Sequence, residues 1–324
     1  MTISIRIVAV VAGIALAGAS LAQNATGFPN RPLRLIVPFA PGGTNDSVGR
    51  IVADKLSARL GQPVVVDNRA GANSIVGCEI VAKAAADGYT MVIVAAGFAV
   101  NPGLVKKLPY DSVRDFSPIG LVGDGPYLLV IHPSVPAKNL SEFIAWAKAR
   151  PGQVNYASTG VGSPPHLAAA LLSTMTGLDL VHVPYKGGGA VLPDLLAGRI
   201  PMFFGSVSTL APYIKSGKLR GIGMTTPKRS PSMPELPTFA ESGLKGYDVT
   251  GWYGILAPGK TPRAIVNRLN GELRQVLADP DTQARLFQRG IDPQPGSPAD
   301  FADLIRREIP KWAKVLAAAG IKPE

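Results

Sequence analysis

The sequence predicts an α/β protein of two similar lobes, each a largely parallel sheet with helices on its faces. Three observations predict it. Runs rich in Val, Ile and Leu alternate with segments of helical period, as βαβ units require. The same order of elements recurs about 120 residues further along the chain. Gly and Pro, 36 and 30 of 324 residues, supply the tight loops that many short elements need.

In the first lobe, Leu33–Ala40 reads as a buried strand, and Pro41–Asp46 (PGGTND) leads into a helix striped by Val48, Ile51, Val52, Leu56 and Leu60 and stopped by Gly61. Val64–Asn68 is a second strand. A helix carries Ile75, Val76, Ile80 and Val81 toward Gly88, and Met91–Gly97 is a third strand. In the second lobe, Val154–Ser163 is a strand ending in a glycine loop, His166–Thr176 a helix stopped by Gly177, and Leu180–Tyr185 a strand. Lys186–Gly189 opens a helix through Leu192, Leu195 and Leu196, before the strand Ile200–Gly205. Ser117–Pro133 and Leu219–Thr226 read as two crossings between lobes, and Ser230–Pro237 as a Pro-rich surface loop. Thr261-Pro262, Asp279-Pro280 and Ser297-Pro298 each join a good N-cap to proline at the first helical position. The last helix sets Phe301, Leu304, Ile305, Ile309, Trp312 and Leu316 on one stripe, with a kink or break expected at Pro310, which has no N–H to donate.

The formal charge is +11, but Lys and Arg are scattered and never run to five, so a small anion suits the chain as well as nucleic acid does. A single cysteine, Cys78, excludes an internal disulfide or a multi-cysteine metal site; beside Ile75 and Val81 it reads as a small buried hydrophobe. Arg6, the apolar run Ile7–Ala19 and Ser20-Leu21-Ala22 form a secretion leader cleaved after Ala22. No cysteine follows it for a lipid anchor, and no later run reaches the length of a membrane span. The expected division is a leader over 1–22, a first lobe over 23–122 and 227–324, and a second over 123–226.

Function follows from where the glycine loops fall. In an open parallel sheet ligands sit beyond the carboxyl ends of the strands, where helices begin and unpaired N–H groups point outward. Pro41–Asp46, Ala96–Asn101, Thr159–Ser163 and Lys186–Gly189 are four such loops, and facing lobes would bring them to one cleft. Helix N-termini favour negative charge, so the guest is an anion such as a carboxylate. Short βα turns are the other reading of the same glycines.

RPLRLIVPFAPGGTNDSVGR, the AADGYT of Ala85–Thr90, STGVGSPPHL, VPYKGGG, the LPTFAESG of Leu236–Gly243 and the WYGILAPGKTP of Trp252–Pro262 resemble, in order, the landmarks of the substrate-binding proteins of tripartite tricarboxylate transporters, the group that includes the Bug proteins of Bordetella and its relatives. The resemblance spans the whole mature chain. It implies a type II periplasmic binding protein fold, two α/β lobes joined by two crossovers that close on a small organic anion for delivery to membrane subunits, with no cofactor. It also implies that the ligand carboxylate is held by the loops Phe39–Asp46 and Thr159–His166, with ordered water and no required buried arginine. Two stretches depart from the pattern: Phe204-Gly205-Ser206, where relatives often have Phe-Asp, and Ala70–Ser74 in place of a glycine-rich stretch.

The candidate contacts of the first lobe are Phe39, Gly42, Gly43, Thr44 and Asp46, with Gly97 and Phe98 after the third strand. Those of the second lobe are Thr159, Gly160, Gly162, Ser163 and His166, with Tyr185 and Ser206. Asp46 and Ser163 are equally ligand contacts or helix caps, and Phe98 either stacks on a ligand or packs. His166 could donate to an anion, whereas His132 and His182 sit beside strand residues as structural groups. The hydroxyls of Thr44, Thr159 and Ser163, together with backbone N–H groups, are expected to hold the carboxylate, with Lys186 solvated. Gly254–Thr261 (GILAPGKT) also satisfies the Walker A pattern, which would make the chain a nucleotide hydrolase. Export, the short remaining sequence and Pro262 oppose it. An enzyme acting on a small carboxylate is the other alternative, but no G-x-S-x-G elbow, H-E-x-x-H or metal spacing supports catalysis.

Overall fold

The computed structural model describes residues 27–185 and 188–323; the expected leader and Lys186 lie outside them. The first half runs β1 (Leu33–Val37), α1 (Thr44–Leu60), β2 (Val64–Asn68), α2 (Ile75–Ala82), β3 (Thr90–Ala95) and α3 (Gly97–Leu104). β4 (Phe116–Ile131) crosses into the second half, which continues as α4 (Leu140–Lys148), β5 (Val154–Ser158), α5 (Pro164–Thr176), β6 (Leu180–Pro184), α6 (Gly188–Leu196), β7 (Met202–Ser206), α7 (Val207–Lys215) and β8 (Arg220–Met224). β9 (Thr250–Pro258) returns to the first half, followed by α8 (Arg263–Ala278), α9 (Pro280–Gln288), β10 (Asp292–Pro293) and α10 (Pro298–Ala318).

The strands lie in the order β2-β1-β3-β9-β4-β7-β5-β6, with β8 and β10 also paired to β4. β1 pairs in parallel with β2 and β3, and β5 repeats this with β6 and β7, which is the internal repeat visible in the sequence. Parallel pairs need a crossover, and α1, α2, α5 and α6 supply it. β4 pairs with β9 along Phe116–Pro126 and with β7 from Tyr127 to Ile131, so one strand threads both halves. Beside that junction the Thr225 hydroxyl reaches the carbonyls of Tyr127 (3.0 Å) and Val249 (2.7 Å) and ties the crossing segments together.

One apolar core runs beneath both halves, joining Ile36, Val92 and Leu256 to Leu129, Phe143 and Leu172, and α10 seals it with Phe301, Trp312 and Leu316. Cys78 belongs to this core, as the sequence predicts, and burial pushes its thiol up to about 12. The buried Trp312 indole N–H donates to Glu308 (2.6 Å), which also holds Lys311, so the seal carries its polar atoms paired.

Several expected boundaries shift. α2 stops at Ala82 rather than running to Gly88, and nearer β3 the Asp87 carboxylate accepts the Tyr89 N–H (3.1 Å) in the turn that leads into that strand. Ala96–Asn101 is no loop but the start of α3, where the Asn73 side-chain amide donates to Asn101 Oδ1 (2.7 Å) and the Asn101 amide donates to the Asn73 backbone carbonyl (3.0 Å). Ser230–Pro237 is only partly at the surface: Ser230 is buried against Asp292 (2.7 Å), and Met233 and Leu236 pack with the second half. This segment thus touches both halves before the chain enters β9. Asp279 and Ser297 cap their helices as expected, but α8 starts at Arg263 with Pro262 as its N-cap. α10 continues through Pro310; the carbonyl left without a donor belongs to Arg306, on the exposed face of the helix.

Candidate functional site

Between the halves a cavity of about 190 Å³ opens beyond the carboxyl ends of β1, β5 and β7. Thr44, the first residue of α1, lines it from the first half; Thr159 and Pro165 line it at the start of α5. Ser206, Ser208 and Thr209 line it at the start of α7, with the Ser206 hydroxyl 2.8 Å from that of Thr209. Thus three helices begin at the cavity, and their N-cap residues Gly43, Ser163 and Ser206 make no side-chain cap bond. α4, α9 and α10, which start elsewhere, are capped by Asn139, Asp279 and Ser297. The uncapped starts of α1 and α7 leave first-turn N–H groups free for a guest, whereas Pro164 and Pro165 of α5 have no N–H and that start offers its positive dipole end.

The floor is built by β4 and β9. Gly125 and Gly251 face each other across these strands; a Cβ on Gly251 would lie 2.7 Å from the Tyr127 ring, and one on Gly125 would lie 3.1 Å from the Tyr253 ring. The glycine pair gives the two tyrosines room. Burial pushes the Tyr127 phenol up to about 12 and raises that of Tyr253, so both remain protonated donors. The remaining wall is Arg289-Gly290-Ile291, where α9 ends. Gly290 has φ +71°, and a Cβ there would stand 2.8 Å from the Ser208 side chain, so only glycine lets the end of α9 meet the start of α7. Arg289 makes no ion pair among the described residues, and no carboxylate lines the cavity, which is therefore electropositive.

Of the sequence candidates, Thr44, Thr159 and Ser206 line this cavity together. Gly42 and Gly43 sit exposed beside Thr44, but the Gly42 N–H is given to Asp46 (3.0 Å). Asp46 is buried; burial alone would raise its pKa, but hydrogen bonds from Arg50, Gly42 and Asn68 bring it down to about 2. Its carboxylate braces the loop instead of meeting an anion. Phe39 packs against the first-half core and offers its carbonyl to Asn68 (3.1 Å). In the second half, Ser163 is not among the residues lining the cavity, and its hydroxyl donates to the Gly160 carbonyl (2.7 Å). His166 Nδ1 accepts the Gly162 N–H (3.0 Å), and its ring stacks 4.1 Å from His182, which stacks in turn on Tyr156. Burial and the neighbouring His182 push His166 down to about 4, so it props the loop as a neutral ring.

Three further candidates fall away from the cavity. Phe98 is fully buried between Tyr110 and Phe116, with centroids at 6.0 and 5.2 Å, and cannot stack on a guest; Gly97 opens α3 beside Asn73. Tyr185 donates its hydroxyl to Asp194 (2.7 Å). The Walker-like stretch is no phosphate cradle: Gly254 lies within β9 against the Phe301 ring, and the Gly259 N–H bonds Asp115 (2.9 Å) in a tight turn. The cavity is also lined by Arg289, Gly290, Tyr127, Tyr253, Ser208 and Thr209, which sequence reasoning did not name. Among the described residues no group of three His, Cys, Asp or Glu could hold a metal, and no helix is long and apolar enough to cross a membrane.

The family model of the tripartite tricarboxylate transporter family receptor matches residues 48–321. The chain is 41% identical over 311 residues to a protein from the tcbD-tcbE intergenic region of Pseudomonas sp. (strain P51), covering 95% of this chain and 93% of that one. Protein BugT of Bordetella pertussis is 36% identical over 311 residues, 95% of each chain. Among solved structures, R. palustris Rpa4515 with adipate superposes with a TM-score of 0.77 at 36% identity, covering 92% of this chain and 100% of that one. MatC from Rhodopseudomonas palustris with bound malate gives 0.73 at 32% identity, covering 89% and 100%. The periplasmic binding protein BugD gives 0.74 at 34% identity, covering 92% and 100%, so the fold is the two-lobed α/β periplasmic binding protein fold. By the family match and by relatives of this identity along nearly its whole length, the chain belongs to the tripartite tricarboxylate transporter receptor family.

Proposed function

We propose that the chain is a periplasmic receptor that captures a small organic carboxylate between its halves and hands it to the membrane subunits of a tripartite tricarboxylate-type transporter. The observation that carries this reading is the cavity where three uncapped helix starts and Arg289 meet with no carboxylate on the lining. A carboxylate there accepts charge-assisted hydrogen bonds from N–H groups, from the hydroxyls of Thr44, Thr159 and Ser206, and from the guanidinium. The adipate and malate held by the two R. palustris relatives support the ligand class. The Arg6–Ala22 leader supports export. A ligand that touches both halves favours the arrangement that brings them together, which is the form a membrane partner can distinguish.

Calorimetric titration of refolded, ligand-free chain with malate and adipate tests the class, with small-angle scattering of the same samples. Saturable binding with a smaller radius of gyration is expected. Failure of these and of other four- to six-carbon dicarboxylates, amino acids and aromatic acids to bind would refute the carboxylate reading. Mass spectrometry of molecules co-purifying with the native chain names the physiological ligand.

A further inference from the structure

The cleft holds more donors than one carboxylate can use. A carboxylate offers two oxygens and about four acceptor positions. The hydroxyls of Thr44, Thr159 and Ser206, the Arg289 guanidinium and the first-turn N–H groups of α1 and α7 already fill them. Two donors are then left over. Tyr127 and Tyr253 line the same cavity, and neither phenol makes a hydrogen bond among the described residues. Nor are they sealed off: unlike the unpaired Tyr110 phenol and Trp252 indole, both hydroxyls keep surface that a guest can reach.

Their position spans the junction of the halves. Tyr127 stands opposite Ser206, where β4 begins to pair with β7, and Tyr253 stands in β9 opposite Ala95 of β3 and Gly123 of β4. One phenol therefore belongs to the second half and the other to the first. Glycine at 125 and 251 is what lets both rings lie there. No carboxylate lines the cavity, while Arg289 and the positive ends of α1, α5 and α7 face it, so the group that suits the phenols is an anionic acceptor. An ammonium in this cleft would meet no carboxylate of the protein. Pro165, Phe203 and Ile291 supply apolar wall for the carbon chain between two charged ends.

We propose that Tyr127 and Tyr253 set the specificity of the cleft: they receive a second carboxylate of the ligand, so that the chain selects a diacid over the monoacid and over the α-amino acid of the same length. The assignment rests on the reading of the cleft as a carboxylate site and goes beyond it in naming the groups that discriminate. Selection works through both a gained contact and an unpaired charge: the monoacid leaves two phenols without a partner, and the amino acid brings an ammonium into an electropositive cavity.

The test is calorimetric titration of ligand-free full chain with acids matched in length: succinate, butyrate and aspartate; glutarate, valerate and glutamate; adipate, hexanoate and 2-aminoadipate. At each length that binds, the diacid should be tighter than the other two by roughly tenfold or more. Tyr127→Phe and Tyr253→Phe keep the rings and remove only the hydroxyls. Each should weaken the diacid roughly tenfold and the monoacid far less. Without ligand each variant should melt no lower than the parent, since no protein group loses a partner. An amino acid that binds as tightly as its diacid, full diacid affinity in both variants, or equal losses for diacid and monoacid would overturn the assignment while leaving the cleft a carboxylate site. A Phe variant that melts lower without ligand would overturn it too, because its hydroxyl would then be a structural group. Failure of every acid in the set to bind would remove the cleft reading itself, and this assignment with it.

Discussion

Gly290→Ala separates backbone strain from a wedge in the cleft. At φ +71° a residue other than glycine costs about 1–2 kcal/mol, and this applies whether the halves stand apart or together. The added Cβ would also lie 2.8 Å from Ser208 Cβ and Oγ and 3.1 Å from its N. Carbon pairs prefer 3.5–4.0 Å, so the ends of α9 and α7 must part by roughly 0.7 Å or more. Arg289, Ser208 and Thr209 line the same cavity, and charge-assisted bonds of about 2.7–2.9 Å do not survive that displacement. One such bond lost is worth about 1.5–3 kcal/mol, a roughly ten- to hundredfold weaker dissociation constant. Titration of adipate or malate into wild type and variant measures this loss, and scattering should show less contraction on binding. Ser208→Gly in the Gly290→Ala background should restore affinity without restoring the melting temperature. Unchanged affinity with only a lower melting temperature would show that strain is present and the wedge is not.

The other expectations concern single groups. Arg289→Gln should weaken the cleft ligand roughly tenfold or more, while Ser163→Ala, whose hydroxyl is already given to Gly160, should cost much less; titration that ranks them the other way contradicts the site. His166 is held down to about 4 from 6.5, so unfolding takes up a proton; its stabilisation is complete above pH 6.5 and is lost as pH falls toward 4. Denaturant midpoints should drop across that window, and less so in His166→Gln. Asp124 is pushed up to about 7 by burial and then by Asp292 and Asp248, so its contribution is complete below 3.8 and is lost as pH rises toward 7. Asp124→Asn should therefore stabilise the chain in alkaline buffer, on the order of 2 kcal/mol by denaturant melts, and a destabilised variant would refute this sign.

What the sequence made legible was local. Alternating apolar runs and helix stops such as Gly61 and Gly177 were enough for β1 to β3, β5 to β7 and the helices between them. Thr44 and Thr159 were legible as cleft residues because each follows a parallel strand, where the topology itself makes the site. Arg289 and Gly290 were not: in sequence they form an ordinary Arg-Gly helix stop, and only the packing of α9 against α7 brings them to the cavity. Phe98 stayed open between stacking and packing for the converse reason. Its neighbouring glycine suggests a loop, while burial against Tyr110 and Phe116 makes that stretch a helix.

The place of β9 has a consequence for how the chain comes into being. This strand inserts between β3 and β4, although both are synthesised long before it, and α10 closes the common core only at Trp312 and Leu316. A polypeptide delivered N terminus first, from a ribosome or through a translocation pore, thus reaches its end with β3 and β4 still lacking the partner between them. Non-local pairing of this kind is slow to form. The topology sets an order of events: the β3–β9–β4 junction, and the seal α10 places on the common core, can form only after β9 and α10 have emerged.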